Sequence, residues 1–328
     1  MVFSFTLNKK AEKKQSLLNC EEAYNLWDLA TAKAAAINQM EIWQTYAHDP
    51  ELKLIIGRRL EKNKDHFKSL EDELKKFSIG GPKGPIQGIS VSTNSEVLLD
   101  EDLANQLLIW LQANVEQLYR AFRTSTTNDS IRALFVKFMT DTIDDLDIFI
   151  KYMKLKGWTD IPPMYQNIPA ETTEKLDAGE AFHLWDHLTF RYDNIEQTQF
   201  WYEYVYDADF KFLLKTGLQE TLQKQATKLE KELLKFGIPL PKPPSGAVEA
   251  SSNTNIRKDS DMFRLLFTGI VGAAWLHALA LKQCITNDRI RGIFKDLLVQ
   301  EIQMLDKLIS CGKLKGWLAV VPQYKPIL

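Results

Sequence analysis

The chain has 328 residues, 45% of them hydrophobic and 26% charged, an ordinary globular composition about twice the length of one typical domain. Forty-one basic against forty-three acidic residues give a formal net charge of −2 and a pI near 6.3, so the basic footprint of a nucleic-acid binder is missing. Cys20, Cys284 and Cys311 form a sparse, odd set without CxxC spacing, which suits a reducing compartment, and the N-terminus does not read as a signal peptide; the expected location is cytoplasmic.

Prolines punctuate long proline-free blocks, and each block carries an apolar stripe of helical period. The first predicted helix, about residues 20–48, has Ala23, Leu26, Trp27, Ala30, Ala34 and Ile37 on one face; the second, about 51–77, has Ile56, Leu60, Phe67, Leu70 and Leu74. The third, about 100–125, and the fourth, about 129–156, follow the same rule, with Leu103, Leu107, Leu111 and Val115 and then Ile131, Phe135, Phe138 and Leu146. His48-Asp49-Pro50 and Thr127-Asn128-Asp129 supply turn and capping chemistry, so helices one and two, and three and four, read as antiparallel hairpins. Residues 78–99, rich in Gly, Pro and Ser, separate the hairpins by a stretch long enough to run the height of a bundle.

The chain then repeats itself. Glu22-Ala23-Tyr24-Asn25-Leu26-Trp27-Asp28 returns as Glu180-Ala181-Phe182-His183-Leu184-Trp185-Asp186, an offset of 158, whereas Thr127-Asn128-Asp129 returns as Thr286-Asn287-Asp288, an offset of 159. One residue has been inserted between two copies of equal length. The second copy gives helices at about 177–206, 208–236, 259–284 and 288–315, with residues 237–259 as its long connection. The expectation is an all-α chain of two tandem ferritin-like four-helix bundles, residues 1–165 and 166–328, each with a long crossover between helices two and three. Leu265–Leu281 is almost wholly apolar, but it contains His277 and aligns with a polar-dotted segment, residues 106–122, so it reads as a buried central helix and not as a membrane span. Gly269, Gly272 and Ala273 would then permit close helix approach.

These residues resemble the bacterial ferritin-like family catalogued as domain of unknown function 3231. The likeness rests on the E-A-[YF]-x-L-W-D opening, Asp49-Pro50, the LE-x-EL-x-KF end of helix two, Thr-Asn-Asp, and the K-G-W…P-x-Y close, and it covers both copies. The resemblance implies the four-helix fold, spore-forming bacteria and a sporulation or spore-coat connection; it implies no established activity.

Metal-oxidising bundles of this kind use a Glu from each of two helices and Glu-x-x-His from each of the other two. His66 lies on helix two, but Asn63 stands three residues before it, and Gln225 replaces it in the second copy. Glu41 falls on the apolar stripe of helix one, yet at about 1.5 Å per residue its height differs from that of His66 by about 12 Å. His277 and Glu301 both follow inward positions at heights within about 4.5 Å, which suits either a mutually satisfied polar pair or a single-metal site; their counterparts are Leu118 and Thr142. Glu180, His183 and His187 share a helix face, where capping and a surface role are the simpler reading. Asp141, Asp144, Asp145 and Asp147 read as a solvated face with partners such as Lys137 and Lys151.

Surplus aromatics repeat as well: Trp43 and Tyr46 return as Trp201 and Tyr204. They are candidates for packing of the two bundles on each other, in imitation of a homodimer, or for a docking surface toward another protein or a further copy. The function expected is a non-enzymatic helical structural or interaction protein with degenerate metal ligands. The alternatives are a protein binding iron, manganese or zinc through His277, Glu301, Glu41 or His66, and a binder of a small apolar ligand.

Overall fold

The computed structural model describes residues 17–86, 99–242, 258–319 and 321–325. Among them eight helices form: α1 (Cys20–Tyr46), α2 (Pro50–Lys76), α3 (Asp100–Thr124), α4 (Asp129–Lys156), α5 (Ala178–Tyr204), α6, α7 (Asp259–Gln283) and α8 (Asp288–Lys315). Helix α6 runs through three consecutive segments, Ala208–Thr216, a π-helical stretch Gly217–Leu222, and Gln223–Lys235. The protein is all-α and forms two helical bundles. Chain contacts group Met1–Trp158 with Val320–Leu328 as one unit and Thr159–Ala319 as the other.

In unit 1, α1 pairs with α2 and α3 with α4; in unit 2, α5 pairs with α6 and α7 with α8. The helix starts follow from their caps. Asn19 and Asp177 each close a capping box, with Glu22 and Glu180 as the reciprocal acidic residue. Asp49 caps α2 ahead of Pro50 at its first turn, and Asn128 and Asn287 cap α4 and α8. Gly157 and Gly316, at φ 74° and 68°, end α4 and α8 in the left-handed region that glycine adopts without strain.

The repeated motifs turn out to bind one another. Glu22 Oε1 accepts from the backbone N–H groups of Thr127 and Asn128 at 2.9 and 2.8 Å, and Glu180 Oε1 does the same with Thr286 and Asn287 at 3.0 and 2.7 Å. The opening motif of each copy thereby fastens the turn between its third and fourth helices. At the other end of the bundle Lys156 donates to Asp49 at 2.7 Å, and Lys315 pairs with Asp207 at 2.7 Å, tying the K-G-W close to the first hairpin turn. Asp100 accepts from the amides of His48 and Asp49, both at 2.8 Å, and Asp259 accepts from those of Tyr206 and Asp207. Each third helix therefore begins beside the start of the second, about 40 Å from that helix's far end. The connections expected to cross over lie largely outside the described residues.

The segment 162–165 belongs with unit 2, where Met164 bridges Asp177 and Tyr165 N–H donates to Leu176 at 2.9 Å. The corresponding place in unit 1 is filled by the C-terminal segment: Gln323 bridges Asn19, Cys20 N–H donates to Pro322, and Tyr324 N–H donates to Leu18, both at 2.9 Å. Helix α7 is the one described helix apolar and long enough to cross a bilayer, but it lies along α8 with Phe263, Ala274, His277 and Leu281 buried. Gly269 and Gly272 do not mediate a close approach, since a Cβ at either would meet nothing within 4 Å.

Candidate functional site

Each bundle buries polar side chains at mid-height, and in both a cation on the first helix stands at the centre. Lys33 of α1 and Arg191 of α5 are repeat counterparts, 2% and 1% exposed. Each follows an apolar stripe at helical spacing, Leu26 and Ala30 before Lys33 and Leu184 and Leu188 before Arg191, so the helix carries it inward with the core residues.

In unit 1 the cation is held by side-chain amides. Lys33 Nζ donates to Asn63 Oδ1 at 3.0 Å and to Asn114 Oδ1 at 2.9 Å. Arg59 donates to Asp145 at 2.6 Å, and to Asn114 and Thr142 at 3.1 Å each. Burial, followed by the nearby Arg59 charge, pushes the Lys33 ammonium well below the usual lysine range. His66 Nε2 lies 3.1 Å from Asp141 Oδ2 and its ring stacks on Phe138 at 3.9 Å. Burial first, then the Lys33 and Arg59 charges, push His66 down to about 3, so at neutral pH it is a neutral donor to Asp141.

In unit 2 the core is reorganised. Arg191 Nη2 donates to Glu301 Oε2 at 2.8 Å and to His277 Nε2. His277 Nε2 also lies 3.5 Å from Glu301 Oε2, so the predicted pair does meet, with the guanidinium shared between its members. Burial and then Arg191 push His277 down to about 4. Burial alone would raise Glu301, but Arg191 and His277 hold it below its ordinary value. His187, buried against Phe294 with ring centroids 4.7 Å apart, places Nδ1 2.7 Å from the His183 carbonyl oxygen. The place of His66 and Asp141 is taken by Gln225 and Gln300, whose amides bond at 2.9 Å.

Both bundles carry an open cavity beside the buried cation: in unit 1 one of about 990 Å³, its open mouth included, is lined by Lys33, Met40, Arg59, Asn63, Trp110 and Asn114. In unit 2 a cavity of about 560 Å³, its open mouth included, is bounded by α5, α6, α7 and α8, with Arg191 and Glu301 among its lining residues and Trp201, Leu213, Ile270 and Met304 on its apolar walls. Gly217, Thr221 and Leu222 of the π-helical stretch line it as well. Arg191 Nε and Nη1 are buried without a hydrogen-bond partner in the protein.

The family known only as protein of unknown function, DUF3231, matches residues 6–168 and again residues 166–326. The chain belongs to this family. No curated protein matches the chain. A crystal structure from Bacillus halodurans, of a protein whose assignment to the spore coat is itself provisional, is 20% identical, with a TM-score of 0.43, and the match spans 50% of this chain and 96% of that one.

Several sequence expectations for this family member are corrected by the geometry. Glu41 does not point into the core; it is half-buried and lies 3.7 Å from Lys64 Nζ. It shares no partner with His66, whose neighbour is Asp141. Asp141 and Asp145 are not a solvated face, because α4 turns them toward His66 and Arg59. Glu180, His183 and His187 cap and pack as buried groups, 1%, 6% and 2% exposed, and not at a surface. Within its bundle Trp43 is buried edge-on to Trp110 at 5.3 Å, Trp201 lines the unit 2 cavity, Tyr204 packs on Phe200 at 4.7 Å, and Tyr46 is half-buried. Sequence reasoning missed Lys33, Arg59 and Arg191. For Lys33 and Arg191 the available signal was a basic residue in register with an apolar stripe and recurring at the repeat offset of 158; Arg59 has Gly217 at that offset and gives no such signal.

Proposed function

We propose that this protein is a non-enzymatic helical scaffold or interaction protein, built on a ferritin-like plan whose metal position is degenerate. The observation that carries this reading is the fate of the repeated polar residues. Glu22 and Glu180 are occupied by turn amides, and Asp49 and Asp207 by lysines that close the bundles. The residues common to both halves therefore act in holding the fold together.

The bundle cores support the same reading. A metal ion needs convergent lone pairs, whereas Lys33, Arg59 and Arg191 direct N–H donors at the available acceptors, Asn63, Asn114, Asp145 and Glu301. Asn63, the residue that interrupts Glu-x-x-His on α2, is itself one of the Lys33 acceptors. A spore connection, implied by the family resemblance, belongs to this proposal as the setting in which the scaffold works.

Metal analysis of untagged protein, after titration with iron, manganese and zinc, tests the reading. The expected result is less than about one metal per ten chains, because a fixed guanidinium beside Glu301 opposes a second cation. Stoichiometric metal, lost on His277→Ala or Glu301→Gln, would overturn it. Mass spectrometry of purified spores against vegetative cells tests the setting, with enrichment in spores expected.

A further inference from the structure

The unit 1 cavity combines an apolar lining with a buried amine that has no acid of its own. Its free space is about 480 Å³, within the range of small-molecule sites, and Ala36, Met40, Leu107, Trp110 and Leu111 form apolar parts of its wall. Lys33 lines it too and is 2% exposed. Its Nζ lies 3.0 Å from Asn63 Oδ1 and 2.9 Å from Asn114 Oδ1, and both of these residues belong to the same lining. The three residues that meet at this nitrogen therefore meet at the cavity wall.

Charge is unbalanced there. An ammonium has three N–H donors; among the described residues Lys33 finds two acceptors, both neutral amides, and no carboxylate. The nearby acids are committed elsewhere: Asp145 is shared by Arg59 at 2.6 Å and Lys62 at 2.5 Å, and Asp141 lies 3.1 Å from His66. Arg191, the repeat counterpart of Lys33, has a carboxylate partner in Glu301 at 2.8 Å, as a buried charge ordinarily does.

We propose that the unit 1 cavity binds a monocarboxylate with an apolar tail, its carboxylate beside Lys33 and its tail along the walls from α1 and α3. The carboxylate supplies the counter-charge that the bundle does not provide and accepts the third N–H, while Met40, Leu107 and Trp110 cover the tail. It also restores the ammonium form, which burial and then the Arg59 charge disfavour. A ligand amine would meet Lys33 and Arg59 as like charges, and a small inorganic anion would leave the apolar walls unused. The site stands independently of the scaffold reading.

Binding of octanoate, 1-octanol and octylammonium to the full chain at neutral pH, followed by calorimetry, tests the proposal. Saturable octanoate binding with one site per chain is expected, at least tenfold tighter than 1-octanol, and no saturable binding of octylammonium. Lys33→Met keeps an unbranched side chain and removes the amine; with folding checked by circular dichroism, it should bring octanoate to within about threefold of 1-octanol. Ala32→Phe is the blocking variant, because Ala32 lines the cavity and the second repeat carries Phe190 at this place in its own first helix. It should weaken octanoate at least tenfold without lowering the melting temperature, and it decides if Lys33→Met does not fold. 1-Octanol or octylammonium binding as tightly as octanoate, octanoate binding unaffected by Ala32→Phe, a preference for octanoate kept by folded Lys33→Met, or no saturable binding at all would each overturn the proposal.

Discussion

Helices α2 and α6 hold the same place in the two repeats, yet α2 is an unbroken α-helix and α6 opens into a π-helical stretch at Gly217–Leu222. The offset between the copies changes from 158 to 159 within this same helix, and a π-bulge is how an α-helix absorbs one extra residue without losing its ends. The two cores diverge around that insertion. From α2, Asn63 accepts from Lys33, and Arg59 donates to Asn114 and Thr142 while its Nε stays unpaired. At the position matching Asn63 the second copy has Leu222, and Arg191 turns to Glu301 and His277, leaving two of its nitrogens unanswered. A single insertion far from any motif thus accompanies a change of partners around the central cation, from the amides of Asn63 and Asn114 to Glu301 and His277.

The sharpest way to break this comparison is to remove the acid from each core. In unit 2, Glu301→Leu strands a guanidinium that is 1% exposed, and the expected cost is about 3–5 kcal/mol in urea unfolding. In unit 1, Asp145 is 20% exposed and Arg59 keeps Asn114 and Thr142. Asp145→Leu is therefore expected to cost only about 1–2 kcal/mol. Equal losses would mean that the two networks are not organised as differently as their geometry says.

Acid should sharpen the same contrast. His66 in unit 1 and His187 and His277 in unit 2 are all pushed below the free value of 6.5, His66 to about 3 and His277 to about 4, burial being the first cause in each. Glu180, which burial raises to about 7, works the other way, but three histidines outweigh one carboxylate, so the unfolded chain binds more protons than the folded one between about pH 4 and 6.5, and stability rises with pH there and is lost as pH falls through 6.5. Unfolding is expected to take up protons in this window, measured as the slope of unfolding free energy against pH. His66→Gln, which imitates Gln225, should reduce the slope by the share of one proton. An unchanged slope would show that His66 is already protonated in the fold.

A third test addresses the ends of the units. Removing residues 320–328 takes away the Cys20–Pro322 and Tyr324–Leu18 backbone bonds, both at 2.9 Å. Truncation at the end of the second repeat is therefore expected to weaken the first one, by about 2 kcal/mol for two hydrogen bonds. Hydrogen exchange should show lost protection at the start of α1 and none at the start of α5, where Tyr165 and Leu176 remain paired.

The sequence made the fold legible because its signals are local or repeated. Caps such as Asp49 and Asn128 and the apolar stripes each act within a turn or two, and duplication supplied a second reading of every one. The pairing of His277 with Glu301 was legible for the same reason, as two inward positions at one height on neighbouring helices. The rest was not, because it depends on rotation between helices. Whether Asp141 and Asp145 face water or core is set by how α4 turns against α2, and no spacing within α4 contains that information. Glu41 fails conversely: its stripe position looks inward, but at the end of α1 the stripe has drifted to where Lys64 meets it. Lys33 and Arg191 were overlooked because a charge on an apolar stripe has no partner visible in sequence; Asn114 and Glu301 lie far along the chain.

The smallest expected effect is the one on which the two bundles should agree. Gly157 and Gly316 follow α4 and α8 at φ 74° and 68°, and the next residue in each case bonds back into the helix, Trp158 N–H to Met153 at 3.0 Å and Trp317 N–H to Gly312 at 2.9 Å. A Cβ at either glycine meets nothing within 4 Å, so Gly157→Ala and Gly316→Ala carry only the backbone cost of the left-handed conformation, about 1 kcal/mol each. Because that cost arises within one turn, it should be blind to the π-helical stretch, the cavities and the exchanged polar partners. Thermal unfolding of the two variants is therefore expected to show losses matching within about 0.5 kcal/mol. A larger difference would place the divergence between the units in their closing turns as well, and the insertion in α6 would no longer suffice to explain it.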